Sequence, residues 1–207
     1  MRVILLLSTL LLASACNNNK SLRVYGPKVP VTRIDNGKTI VDSVDYSIPV
    51  YTFTDQDSMT VDSNAVNGKI FVADFFFTSC PSICPKMMAE MLKVNDKYKD
   101  NKEVAILSYS IDPVRDSVTR LKLYQKKLGI EGGQWHFLTG NKDSIYHLAE
   151  KYLVSAGEDP DAPGGHIHSG NFVLVDKHKR IRGYYDGTTD EGTEKLMSQM
   201  DILLGEK

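Results

Sequence analysis

Residues 69–77, KIFVADFFF, constrain this chain more than any other stretch. Apart from Lys69 at its start and Asp74 within it, the run is apolar, with no alternation of wet and dry positions. A strand covered on both faces reads this way, whereas a strand with one solvated face alternates. Strands of that kind sit where helices close both sides of a sheet, so the run calls for an α/β layer structure. The rest of the chain alternates strand and helix patterns. Pro49–Thr54 alternates apolar and polar residues as a strand. Pro85–Tyr98 places Met88, Met91, Leu92 and Asn95 at helical spacing, with Pro85 tolerated in the first turn. Val104–Ser110 is a second buried strand. Asp116–Leu128 reads as a helix stopped by Gly129. Trp135–Thr139 is a short strand, and Lys142–Val154 sets Ile145, Leu148, Ala149 and Tyr152 on one helical face. Two strands, Asn171–Val175 and Arg180–Tyr185, flank a turn, and a helix over Gly192–Leu204 closes the chain. The pattern predicts one α/β domain over residues 45–207, a central mixed sheet flanked by helices. A strand, a cysteine motif and a helix come first, and a hairpin with a helix comes last. That order suits a thioredoxin-like fold with an inserted β-α unit, although periodicity alone fits other doubly wound folds.

Residues 1–15 have one early positive charge, an apolar stretch too short to span a bilayer as a mature helix, and small residues before Cys16. This is the pattern of a lipoprotein signal peptide, with Cys16 as the lipidated residue, although Ala13 stands where a lipobox carries Leu. Residues 16–44 are polar and lack a helical period, so they are expected to form the anchor, a tether and an irregular lead-in. The address implied is the bacterial cell envelope, with the domain held on a membrane outside the cytoplasm, where disulfides persist. With 25 Lys and Arg against 26 Asp and Glu, the chain lacks the basic surface that binding nucleic acid requires.

Setting Cys16 aside leaves a pair. The buried strand runs into Thr78-Ser79-Cys80-Pro81-Ser82-Ile83-Cys84-Pro85, two thiols three residues apart where a strand passes into a helix. Ligands collect at the carboxyl ends of strands in open α/β sheets, and a helix N-terminus favours thiolate over thiol. The spacing differs from the C-x-x-C of common oxidoreductases. Two soft thiolates suit Cu(I) or zinc. A small structural disulfide and two packed thiols are the bland alternatives, and the former would constrain so short a loop only modestly.

Completing a metal site requires a further donor. The long Gly/Pro/Asp-rich segment between the third helix and the strand at Asn171 contains His166 and His168 and is expected to be a mobile loop reaching the same sheet end. His168, next to the strand, is the better placed of the two, and two solvated loop histidines are the alternative. His136, His147 and His178 read as structural or surface residues, and Met87 and Met88 as helix core.

Taken together, Asp74–Pro85, Ser110-Ile111-Asp112-Pro113 with Arg115-Asp116, and His168-Ser169 before Phe172–Asp176 resemble the SCO/SenC family of copper-binding assembly factors for cytochrome c oxidase. The similarity runs over roughly residues 45–205. It implies a thioredoxin-like fold, a copper site at Cys80, Cys84 and His168 holding Cu(I) and also Cu(II), and a supporting role for Asp112 beside it. It implies as partner the copper-receiving subunit of a terminal oxidase. Many members carry an acid directly before the histidine, where this chain has Ile167, and the resemblance leaves His166 without a role. The expected function is a membrane-tethered copper chaperone rather than an enzyme. The alternative is a thiol–disulfide reductase using Cys80 and Cys84 on a partner's copper-ligand cysteines. A peroxidase finds no support in the sequence.

Overall fold

The computed structural model describes residues 21–62 and 64–206. In chain order the elements are β1 (Val29–Asp35), β2 (Lys38–Val44), β3 (Phe53–Asp55), β4 (Thr60–Val61), β5 (Ile70–Phe76), α1 (Cys84–Tyr98), β6 (Val104–Ser110), α2 (Val118–Lys127), β7 (Trp135–Thr139), α3 (Lys142–Lys151), β8 (Ala156–Glu158), β9 (His166–His168), β10 (Asn171–Val175), β11 (Ile181–Asp186) and α4 (Asp190–Gly205). Seven strands form one mixed sheet in the order β11-β10-β5-β6-β7-β3-β4. β5, β6 and β7 are parallel at its centre, and the outer strands run antiparallel.

β5 and β6 are buried at every position, as continuous apolar strands must be. Successive side chains of β5 serve opposite faces. Phe75 stacks on Tyr109 and meets Tyr152, the residue closing α3, while Phe76 packs on Tyr124 of α2 and on Phe137. Thus α2 and α3 cover opposite faces of the sheet. α1 and α4 lie together, joined by Tyr98, whose hydroxyl donates to the Met197 carbonyl (2.8 Å) and the Asp201 carboxylate (2.7 Å). Ser117, Asn141 and Thr189 cap α2, α3 and α4 by accepting from backbone amides of the first turn.

Two regions differ from the sequence reading. Residues 29–44, expected to be an irregular lead-in, form the β1–β2 hairpin, turned at Asn36 (φ 49°) and Gly37 (φ 75°). An Asn-Gly pair at positive φ is the favoured two-residue hairpin turn. The strands are exposed on both faces, so the sequence has no buried face to reveal them. Just before the hairpin, the chain is tied to β11: the Tyr25 amide donates to the Ile181 carbonyl (2.9 Å), and the buried Arg182 guanidinium donates to the Leu22 carbonyl (2.8 Å), Asp176 (2.8 Å) and Glu206. The histidine segment, expected to be a mobile loop, carries the β8–β9 antiparallel pair, in which Ala156 faces His168 and Glu158 faces His166. The strand expected at Pro49–Thr54 begins only at Phe53, and it ends where the Asp55 carboxylate accepts from the Asp57 and Met59 amides. The proposed cleavage and lipidation at Cys16 lie outside the described residues.

Asp74 is fully buried inside β5. One carboxylate oxygen accepts from the Ser108 hydroxyl (2.5 Å), which accepts in turn from the Trp135 indole (2.9 Å); the other has no partner among the described residues. Burial outweighs the Ser108 hydrogen bond and raises this carboxyl from 3.8 to about 7. The folded state therefore keeps a proton that the unfolded chain releases, and stability falls as pH rises from 3.8 to about 7. Asp74→Asn should remove up to roughly 1.4 kcal/mol per pH unit of that decline. Urea unfolding at several pH values checks this: the two stability curves should converge in acid, with the variant higher at pH 8, and parallel curves would count against it.

Candidate metal centre

The site lies at the carboxyl end of β5. Beyond Phe77 the chain turns sharply, with the Cys80 amide donating to the Phe77 carbonyl (3.2 Å). Pro81 and Pro85 bracket the loop, and Cys84 is the first residue of α1. Pro85 fits there because the opening helical amides have no carbonyl to bond. Cys80 is 9% exposed and Cys84 is 1% exposed. Met87, Met88 and Met91 on α1 are all buried in the core, as expected for helix packing.

The loop after β6 holds the cysteine loop in position. Asp116 is completely buried, and its carboxylate accepts from the Thr78 amide (2.9 Å), the Thr78 hydroxyl (2.5 Å) and the Ser110 hydroxyl (2.7 Å). The Arg120 guanidinium lies 3.4 Å from Asp116 and donates to the Thr78 hydroxyl (2.6 Å). α2 begins only at Val118, behind the Ser117 cap, which leaves Asp116 outside the helix and free to make these bonds. Asp116, rather than the expected Asp112, makes these bonds. Asp112 accepts from the exposed Arg115 side chain (3.3 Å), and among the described residues it makes no hydrogen bond to the cysteines or to His168. The missed signal lay in the motif itself: an acid just before a capping serine is free to bond elsewhere.

His168 ends β9. Its ring packs edge-on against Phe77 at 5.9 Å, and that of His166 lies tilted on the same phenyl at 5.1 Å. Gly164 brings the backbone close enough for this packing, with a φ of +84°, and a Cβ there would sit 2.8 Å from the Phe77 ring. His168 Nδ1–H donates to the Ser169 carbonyl (3.1 Å). A carbonyl only accepts, so the proton is on Nδ1 and Nε2 carries the lone pair. Nε2 lies 3.2 Å from Cys84 Sγ, and ligand atoms of Cys80, Cys84 and His168 all fall within 4.8 Å of one another. Of the residues named from sequence, the structure brings these three together. His136 instead bonds Asp55 (2.9 Å), and His147 sits on the exposed side of α3 beside Glu150.

The three donors differ electrostatically. Burial raises the Cys80 thiol, but hydrogen bonds from Cys84 and Ser82 outweigh it and hold the group below its ordinary value. Burial pushes Cys84 well above the usual thiol range, assisted by Cys80 and the charge of Asp74. Burial lowers His168 against the opposing Ser169 hydrogen bond, so the imidazole is neutral. One thiol held below its ordinary value, one thiol held protonated and one neutral imidazole form a compact donor set.

An α/β fold with two cysteines and a histidine converging at a strand end defines a soft-metal or thiol-redox protein of thioredoxin-like architecture. The SCO1/SenC family profile matches residues 43–203, and the chain belongs to that family. A SCO1/SenC family lipoprotein of Bacillus anthracis superposes with a TM-score of 0.70 at 28% identity, covering 77% of this chain and 95% of that one. The Sco protein BsSco, described as a member of a family of cytochrome c oxidase assembly proteins, gives 0.69 at 30% identity, covering 78% and 95%. An Arabidopsis thaliana Sco protein solved with copper bound shares the fold, with a TM-score of 0.63 at 23% identity over 78% and 99%. The thioredoxin-like expectation therefore holds. Among the described residues, no helix is long and apolar enough to cross a membrane.

Removing the Asp116 carboxylate would orphan the Thr78 and Ser110 donors. Asp116→Ala should cost about 3 kcal/mol, whereas Thr78→Val, which keeps the amide bond, should cost about 1 kcal/mol. Asp112→Ala, which loses a buried carboxylate whose one side-chain partner, Arg115, is exposed, should cost about 1 kcal/mol. Urea unfolding ranks the three, and an Asp112 loss as large as that of Asp116 would contradict the assignment.

Proposed function

We propose that this chain carries copper for the assembly of the copper centre of cytochrome c oxidase, binding Cu(I) through Cys80, Cys84 and His168. The observation that carries the reading is the convergence of two sulfurs and one unprotonated ring nitrogen within 4.8 Å at a strand end. Structural zinc takes four ligands, so three soft donors suit the lower coordination of Cu(I), with the imidazole also able to serve Cu(II). Copper is cargo. Binding displaces the thiol proton of Cys84, and delivery occurs by ligand exchange with the thiolate or imidazole donors of a receiving oxidase subunit. Family membership and the copper-bound relative support this recipient and this metal. The N-terminal pattern supports a lipid at Cys16 holding the domain to a membrane of the cell envelope. Oxidation of Cys80 and Cys84 to a disulfide would remove both sulfur ligands and make carriage redox-dependent.

A second reading rests on the asymmetry of the two thiols. A lowered, outer Cys80 and a buried, protonated Cys84 are the attacking and resolving partners of a dithiol reductase. The Cys80 thiolate would attack a partner's disulfide, forming a mixed disulfide and releasing one partner thiolate. Cys84, losing its proton, would then attack Cys80 Sγ and free the second, leaving Cys80–Cys84 oxidised.

His168 separates the two. The reduced chain should bind one Cu(I). Cys80→Ser and Cys84→Ser should abolish binding, and His168→Ala should weaken it more than about tenfold. Reduction of a model disulfide should survive His168→Ala and fail in both cysteine variants. Copper titration against a chromogenic Cu(I) chelator, paired with a thiol–disulfide exchange assay, reads both. An intact reduced chain that binds no copper would sink the carrier reading.

A further inference from the structure

His166 has no place among the three converging donors, yet the structure prepares it in the same way as His168. The two residues are i and i+2 on β9 and so project to one side of the strand. Both rings rest on Phe77, His166 at 5.1 Å and His168 at 5.9 Å between centroids. His166 Nδ1–H donates to the Gly164 carbonyl (3.2 Å), as His168 Nδ1–H donates to that of Ser169 (3.1 Å). A carbonyl only accepts, so in the neutral form of each ring the proton sits on Nδ1 and Nε2 carries the lone pair. The turn holding His166 is closed by backbone bonds: Gly165 amide to Ala162 carbonyl (2.8 Å) and Asp159 amide to Gly165 carbonyl (3.0 Å). Glu158, opposite His166 in the β8–β9 pair, has its carboxylate engaged by Lys142 (2.9 Å).

A cavity of about 170 Å³ links this histidine to the site. Cys80, Ser82, His166 and His168 all line it, against a wall formed by Phe77 and Pro163. Ser82 Oγ sits 3.6 Å from Cys80 Sγ. Cys84 is 1% exposed and is not part of the lining, so a cation arriving from solvent meets Cys80 and His166 before it reaches Cys84.

We propose that His166 is a capture ligand: copper entering this cavity is held first by His166 Nε2 and Cys80 Sγ, then passes to Cys84 and His168 as His166 leaves. The proposal rests on the copper-carrying reading above. The exchange replaces one nitrogen donor by another and adds a sulfur. The copper oxidation state does not change, and each thiol proton lost goes to water. A ligand used only on the path changes the rate of loading and leaves the loaded state as it was.

The test is stopped-flow uptake of Cu(I) from a chromogenic chelator complex by the intact reduced chain, with equilibrium competition against the same chelator. His166→Gln should slow uptake by about tenfold, the scale at which metal sites respond to a lost supporting residue, and leave stoichiometry and equilibrium affinity unchanged. His166→Met, which restores a soft donor at the same place, should recover most of the rate for Cu(I). Thermal melting of each variant separates lost uptake from lost fold. An unchanged rate in His166→Gln overturns the proposal, as does an equal fall in rate and affinity, which would make His166 a resident ligand. If His168→Ala binds copper as tightly as the unmodified chain, it is the carrier reading that fails, whatever His166 does.

Discussion

The site depends on one buried carboxylate. Parallel strands β5 and β6 end side by side, and the loops leaving them diverge unless something joins them. Asp116 joins them by accepting from both the amide and the hydroxyl of Thr78, two residues before Cys80, and from Ser110 at the end of β6. A carboxylate taken out of water is tolerable only with its lone pairs satisfied, and here backbone, hydroxyl and guanidinium donors satisfy them. The cost of burying it becomes positional order. With Thr78 fixed, the turn closed by the Cys80 amide and the helix start at Cys84 leave the two sulfurs little freedom. His168 arrives independently, seated on Phe77. The three donors thus come from two loops that share no covalent neighbourhood, each fastened to the same sheet end.

How much of this the sequence disclosed follows from where burial leaves a mark. β5 and β6 were legible because strands covered on both faces must be apolar throughout, and the four helices were legible because each has a buried stripe. The cysteine loop announced itself through spacing and its two prolines. The β1–β2 hairpin escaped because neither face is buried, although Asn36-Gly37 marked its turn. β8 and β9 escaped because three-residue strands are too short for any period to register, so a paired segment read as a free loop. Asp112 and Asp116 show the sharper limit. Both are acids in one motif, and composition ranks them equally. Only the start of α2, which frees Asp116 to reach back across the sheet end, separates the anchor of the cysteine loop from its neighbour.

Asp74 is of a different kind. Beyond Ser108 it has no partner for its other oxygen among the described residues, and its charge disfavours ionisation of Cys84. A hydrophobic residue would fill the strand at lower cost in stability. Its effect falls on the site instead: with Asp74 ionised, the buried thiol is held more firmly in its protonated form.

That protonated thiol clarifies how the donor set is built. Cys84 Sγ and His168 Nε2 lie 3.2 Å apart, one a thiol above its usual range and the other a neutral imidazole presenting a lone pair. The S–H proton occupies the position between them and satisfies both groups in a buried place where either alone would be costly. On the copper-carrying reading, a soft cation would replace that proton, gain the Cys80 sulfur as well and release the proton to water. A dithiol reductase would use this group only as a proton acceptor for Cys84, a part that water or another base can also take. The imidazole, its tautomer set by the Ser169 carbonyl and its ring set by Phe77, is held as a fixed third donor, and that fixity favours the metal-carrying reading proposed above.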